Sequence, residues 1–331
     1  MNTLCNLSVL VTGGAGFIGS HIVEYLLNNS VRYVRVLDNL STGSTKNIDI
    51  AFSKFNNVQF LYGDIRNLET CHQACVGIDA ICHQAAFVSV PNSIDNPLTN
   101  HEININGFVN ILTAAKEAGI KRVVYTSTSV VYDGNSDVKV ENDIGNFRSP
   151  YAASKYINEI YGKLYTDVFG LECIGLRYFN VFGPRQDPNA AYAAAIPKFI
   201  ETILLNKQPI IYGDGTYARD FIYISDVVTA NILALTTINT MCFGEVFNVG
   251  TNNCININTL FDMIKKCLNK NDCKPIYGLV RQGDIPCTYA SIEKISSYLN
   301  YKPEFSLEEG LLKTIDYFKE NMLDDHIKVN N

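Results

Sequence analysis

The stretch SVLVTGGAGFIGSH, residues 8–21, constrains this chain more than any other. A near-continuously apolar run ends in Gly13, Gly14, Gly16 and Gly19, and Ile18, Ile22 and Leu26 then repeat with a helical period. A strand apolar on both faces belongs in the interior of a parallel sheet. Gly13 and Gly14 permit a tight turn, Gly16 lets the backbone approach a pyrophosphate, and Gly19 lets the helix lie close to the sheet. The helix N-terminus then faces the anion, so Gly13, Gly16, Phe17, Ile18 and Gly19 form an expected cofactor cradle. Asp38 closes the second apolar run, VRVLD. Its carboxylate can accept hydrogen bonds from ribose hydroxyls and disfavours a 2′-phosphate, so the expected dinucleotide is NAD, not NADP.

The same alternation continues. SVLVT (8–12), VRVLD (34–38), VQFLYGD (58–64), DAICHQAA (79–86), RVVYTST (122–128) and CIGLRYFN (173–180) read as buried strands with helical segments between them. That order predicts an α/β fold, a doubly wound parallel sheet of Rossmann type, with a smaller α/β substrate-binding lobe. Residues 1–180, with about 219–248, are assigned to the NAD-binding domain; 181–218 and 249–331 are assigned to the second lobe. At 331 residues the chain exceeds what one core ordinarily holds, which fits two lobes.

Composition excludes other classes. A net charge of −6 with no basic patch argues against nucleic acid as a partner. No apolar run approaches the roughly 20 residues that span a bilayer, and MNTLCNLSVLVTGG lacks the basic start of a signal peptide, so a cytoplasmic location is expected. The ten cysteines contain no C-x-x-C and the five histidines are scattered, so reduced thiols and no metal are expected.

Residues 149–155, SPYAASK, place Tyr151 and Lys155 on one helix face. A reactive phenol with a tuning cation and a solvated surface pair are both open on this spacing alone. Tyr298 and Lys302 repeat it and read as the chance copy.

With TGGAGFIGSH, HQAA, TSTSVVY, YAASK and RYFNVFGPRQDP in that order, residues 8–320 resemble the extended short-chain dehydrogenase/reductases. Within them the chain resembles the UDP-hexose 4-epimerases, and most of all the UDP-N-acetylglucosamine 4-epimerase subgroup. The resemblance implies that Tyr151 is the acid/base group, aided by Lys155, and that Thr128 bonds the reacting hydroxyl. A free phenol titrates near 10, so a base at neutral pH needs nearby positive charge. It further implies cofactor contacts from Asp64, Ile65, Gln84, Ala85, Ala86 and Tyr178, although Asp64 also reads as an ordinary strand-end turn residue. Ser129 and Val130 follow Thr128 where dehydratase and decarboxylase relatives carry acids, which leaves 4-epimerisation through a 4-keto sugar. Asp133 stands where the family usually has glycine.

On the substrate side the resemblance implies Asn180, Arg219, Arg281 and Asp284 at the UDP diphosphate and ribose. Ser89, Ser129, Ala194 and Tyr212 are placed with the substrate as well. Thr288 occupies a position where epimerases restricted to plain hexoses carry tyrosine, and its small side chain leaves room for a 2-acetamido group. UDP-N-acetylglucosamine is therefore the expected substrate. UDP-glucose remains if Thr288 merely packs, as does a 2-acetamido uronate if Arg185 or another cation meets a carboxylate. A homodimer is implied, with helices near 95–118 and 150–169 as its seam; Ile103, Phe108 and Tyr161 could serve it or face the chain's own sheet.

Overall fold

The computed structural model describes residues 3–132, 137–189, 194–280 and 287–329. Seven parallel strands form the central sheet: β1 (Ser8–Thr12), β2 (Tyr33–Asp38), β3 (Val58–Tyr62), β4 (Ala80–His83), β5 (Arg122–Thr128), β6 (Glu172–Tyr178) and β7 (Val246–Val249). Their order is β7-β6-β5-β4-β1-β2-β3. The order reverses between β1 and β4, where Thr12 lies opposite His83, and a crevice opens beyond the strand ends at such a point.

Side chains alternate across the sheet, as the period of a strand requires. Val9, Val11, Val36, Cys82, Val124 and Ile174 face one core, with α1 (Phe17–Asn28) and a helix at Ile224–Thr236. Leu10, Leu37, Ile81, Val123 and Cys173 face the other, covered by α2 (Leu68–Cys75), α3 (Gly107–Glu117) and α4 (Pro150–Phe169). Helix Ile224–Thr236 becomes α5; it packs on α1 and the sheet although the chain reaches it only after leaving β6. Strand β7, which the apolar pattern did not single out, returns later still.

Further short strands pair outside the central sheet. Four strand segments, Ile255–Asn256, Ala218–Arg219, Cys287–Ala290 and Val138–Lys139, pair in that order. Asn180–Phe182 pairs with Phe221–Tyr223, and Ile210–Tyr212 with Ile276–Gly278. Helices Ala195–Leu204 and Ile257–Cys267 follow.

Phe108 is fully buried, its ring 4.9 Å from Tyr125 and 5.2 Å from His83. It faces the chain's own sheet. Ile103 and Tyr161 are half-buried against the same core.

Candidate active site

Gly13 leaves β1 with φ +67°, and a Cβ there would lie 2.7 Å from the Ala85 nitrogen. A Cβ on Gly19 would collide with the Gly13 carbonyl. Glycine at these two positions lets the turn close over β4 and lets α1 start directly against it. Helix α1 begins after Gly16 with no side-chain cap and no acid in its first turn. Its leading amides therefore face the crevice as an anion-receptive end. Asp38 accepts from the Ala15 amide at 3.0 Å and the Leu40 amide at 2.8 Å, which fixes its carboxylate beside the turn. A free lone pair on each oxygen suits a diol. These features fit a dinucleotide.

Asp64 is engaged locally. Asn39 Nδ2 donates to it at 2.8 Å, and the bidentate Arg66 guanidinium beside it lowers its carboxyl to about 2. Ile65 is buried beneath Gly107. Gln84 donates to Asn231 Oδ1 at 3.2 Å and accepts from the Tyr178 hydroxyl at 3.2 Å. Ala85 donates its amide to Thr12 Oγ1 at 3.3 Å, and Ala86 follows, half-buried.

Thr128 ends β5 and Tyr151 opens α4, capped by Ser149 and begun by Pro150 at its first position. Both side chains are buried. Burial pushes the Tyr151 phenol up to about 12, and its hydrogen bond with the Thr128 side chain opposes that rise. Lys155 lies one turn along α4 with its ammonium donating to the Thr126 carbonyl at 3.0 Å. Burial lowers it to about 7, against the attraction of Glu159. Thr128 is thus the group that lowers the phenol against burial, while the Lys155 ammonium sits on the β5 backbone at Thr126.

Several supporting residues escaped the sequence reading. Ser93 Oγ accepts from the Tyr151 amide at 3.1 Å, joining Tyr151 to the short helix Val90–Asp95 that Ser89 caps. His83 Nδ1 lies 2.8 Å from Thr12 Oγ1, and burial, with Lys155 nearby, lowers it to about 3. Asn104 Nδ2 donates to Asn100 Oδ1 and Ser154 Oγ, both at 3.0 Å, and its Oδ1 accepts from the Phe87 amide at 2.7 Å. Such partners are separated widely in sequence, and no local pattern marks them.

Among the residues expected at the substrate, Asn180 Nδ2 donates to the Asp220 carbonyl at 3.1 Å. Arg219 pairs through its backbone with Thr288, and both are half-buried. Ser129 is half-buried, whereas Ala194 and Tyr212 are exposed. A cavity of about 580 Å³ beside Tyr212 is lined by Gly213, Tyr217, Tyr277 and Val280; Tyr151 is not among its lining residues. Arg281, Asp284 and Asp133 lie outside the described residues. Arg185 pairs with Glu24 on α1.

Among the described residues no helix is long and apolar enough to cross a membrane, and no three His, Cys, Asp or Glu side chains converge as a metal site.

Residues 9–250 match the family described as "NAD dependent epimerase/dehydratase family". A putative UDP-glucose 4-epimerase of Methanocaldococcus jannaschii is 40% identical over 316 residues, 95% of this chain and 99% of that one. A UDP-glucuronate 4-epimerase of Thermodesulfobacterium geofontis is 35% identical, over 95% and 96% of the two chains. The solved structure of UDP-N-acetylglucosamine 4-epimerase from Methanobrevibacter ruminantium M1, in complex with UDP-N-acetylmuramic acid, superposes with a TM-score of 0.90 at 38% identity, covering 96% of this chain and 99% of that one.

Proposed function

The chain belongs to the NAD dependent epimerase/dehydratase family, and from that premise we propose that it is a UDP-sugar 4-epimerase acting on UDP-N-acetylglucosamine and UDP-N-acetylgalactosamine. The observation that carries the chemistry is the buried Tyr151–Thr128 pair at the carboxyl end of β5, beside a glycine cradle suited to a dinucleotide. Full-length likeness to 4-epimerases of several UDP-sugars supports the reaction class.

Gly13, Gly16, Phe17, Ile18, Gly19 and Asp38 would hold NAD. When bound, it would supply hydride-transfer chemistry and positive charge that favours a phenolate. Tyr151 takes the 4-hydroxyl proton and gives it back. Its phenol, pushed up to about 12, rests protonated at neutral pH and needs added positive charge to act as a base. Thr128 holds the phenolic oxygen by its hydrogen bond. Lys155, lowered to about 7, supplies charge that varies across neutral pH. No acid follows Thr128, since Ser129 and the exposed Val130 occupy those positions, which disfavours dehydration.

Asn180 and Arg219 are assigned to the UDP diphosphate on the family resemblance, and their segments meet at Asp220. The acetamido preference rests on Thr288, whose small side chain stands next to Arg219 in register. The pairing of Arg185 with Glu24 weighs against a uronate substrate. We assign the homodimer seam to α4, where Ile160, Leu164 and Val168 are exposed four residues apart on one face.

The test is to incubate the protein separately with UDP-N-acetylglucosamine, UDP-glucose and UDP-glucuronate, without added nucleotide, and to follow the anomeric protons. Both acetamido epimers should grow in fastest. A several-fold preference for either other sugar would discard the Thr288 reasoning. Tyr151→Phe should abolish turnover and retain NAD.

A further inference from the structure

Cys254 and Cys287 are 33 residues apart in sequence, yet their sulfurs stand 3.2 Å apart, both as half-buried free thiols. Cys254 directly precedes the strand Ile255–Asn256, and Cys287 opens the strand Cys287–Ala290. Ala218–Arg219 runs between these strands, with Arg219 opposite Ile255 on one side and Thr288 on the other. The buried Asp220 fixes the neighbouring backbone. Its carboxylate accepts from the Thr251 amide at 2.9 Å, the Thr251 hydroxyl at 2.6 Å, the Asn252 amide at 3.2 Å and the Ala290 amide at 3.1 Å. One side chain thus pins both approaches to the thiol pair. The sulfurs would need to close from 3.2 Å to the roughly 2 Å of a bond.

We propose that Cys254 and Cys287 form a reversible dithiol–disulfide site, and that its oxidation staples the strands flanking Arg219 and weakens binding of a nucleoside diphosphate. The second half rests on the assignment of Arg219 to the diphosphate.

The oxidant is a small-molecule disulfide. The Cys254 sulfur, which accepts the Cys287 S–H, attacks as thiolate and releases one thiolate of the oxidant, leaving a mixed disulfide. The Cys287 thiolate then attacks the Cys254 sulfur and releases the second. Two electrons pass to the oxidant, and the two thiol protons end on the released thiols. Burial and the neighbouring Cys254, with a smaller push from Asp137 and an opposing pull from Arg219, raise the Cys287 thiol to about 11. The second step is therefore slow near neutrality and quickens as pH rises.

The experiment treats the full chain with glutathione disulfide at pH 8 and 9, followed by intact mass and peptide mapping. A loss of two hydrogens with a Cys254–Cys287 crosslink, formed faster at pH 9 and reversed by dithiothreitol, is expected. Stable glutathione adducts at both thiols, or a crosslink elsewhere, overturn the site. Calorimetry with UDP then compares the two forms. Oxidation should raise Kd at least threefold, and Cys254→Ser and Cys287→Ser should keep the reduced affinity while losing the response. An unchanged Kd despite the crosslink overturns the coupling. Failure of reduced protein to bind UDP sinks the Arg219 assignment and the coupling with it, while the mass data still decide the disulfide.

Discussion

Replacing Arg177 with methionine should destabilise the protein more than replacing its partner as well. Arg177 and Glu159 are both buried, 2% and 5% exposed at the side chain, and form a two-pronged pair at 2.8 and 2.6 Å. The other guanidinium nitrogen donates to the Tyr132 hydroxyl at 2.8 Å and the Glu141 carbonyl at 2.7 Å. Tyr132 in turn donates to Asn248 on β7, and Ser127, next to Thr128, donates to Glu159. Methionine fills most of the volume and leaves the buried Glu159 carboxylate without its two-pronged guanidinium partner, with the Ser127 hydroxyl and the Lys155 charge still near it. Breaking a buried pair from one side costs about 3–5 kcal/mol. At about 2 °C per kcal/mol for a chain this large, the melting temperature should fall by roughly 6–10 °C. Adding Glu159→Gln removes the stranded charge and should recover about 1–3 kcal/mol of that loss. Thermal and urea unfolding of wild type, both single variants and the double variant give the cycle. If Arg177→Met alone unfolds with the wild type, or the double variant is less stable than Arg177→Met, the pair is not acting as reasoned here.

Gly13→Ala should abolish NAD retention, read by the absorbance of released dinucleotide, because its Cβ meets the Ala85 backbone at a positive φ; an alanine variant that retains NAD would refute the cradle. Asp38→Ala should narrow the preference for NAD over NADP at least tenfold by fluorescence titration, since the anion no longer opposes a 2′-phosphate. An unchanged ratio would remove Asp38 from that role. His83 has a folded pKa lowered to about 3 from 6.5, so below pH 6.5 the unfolded chain binds its proton first. Its contribution is whole above pH 6.5 and is lost as pH falls toward 3, with a slope of about 1.4 kcal/mol per pH unit. His83→Asn should flatten the urea midpoint between pH 6 and 4; an equally steep variant would show that other groups set the acid limit.

The parts of this fold legible in the sequence are those whose cause is local. Strands β1, β2, β4, β5 and β6 announce themselves because they are largely buried on both faces, and the cradle because glycines follow a strand at fixed intervals; β3, expected to be buried, is instead a half-exposed edge strand. The two-residue segments Val138–Lys139 and Ala218–Arg219 have too few positions to show a period. The Glu159–Arg177–Tyr132–Asn248 network joins residues up to 116 positions apart, so each member alone looks like a surface polar residue. Tyr151 and Thr128 were found through a resemblance, and their hydrogen bond lies beyond what spacing could give. Arg185, whose sequence context gave no hint of a partner, pairs with Glu24 of α1.

The path of β7 bears on how this molecule can be divided. The sheet's last strand arrives only after the chain has made its excursion through Asn180–Phe182, Ala195–Leu204 and α5. A truncation after β6 would leave an unpaired edge of seven residues and strip α5 from one face, so such a fragment should aggregate. A ribosome must deliver some 250 residues before the first layer of the architecture can close.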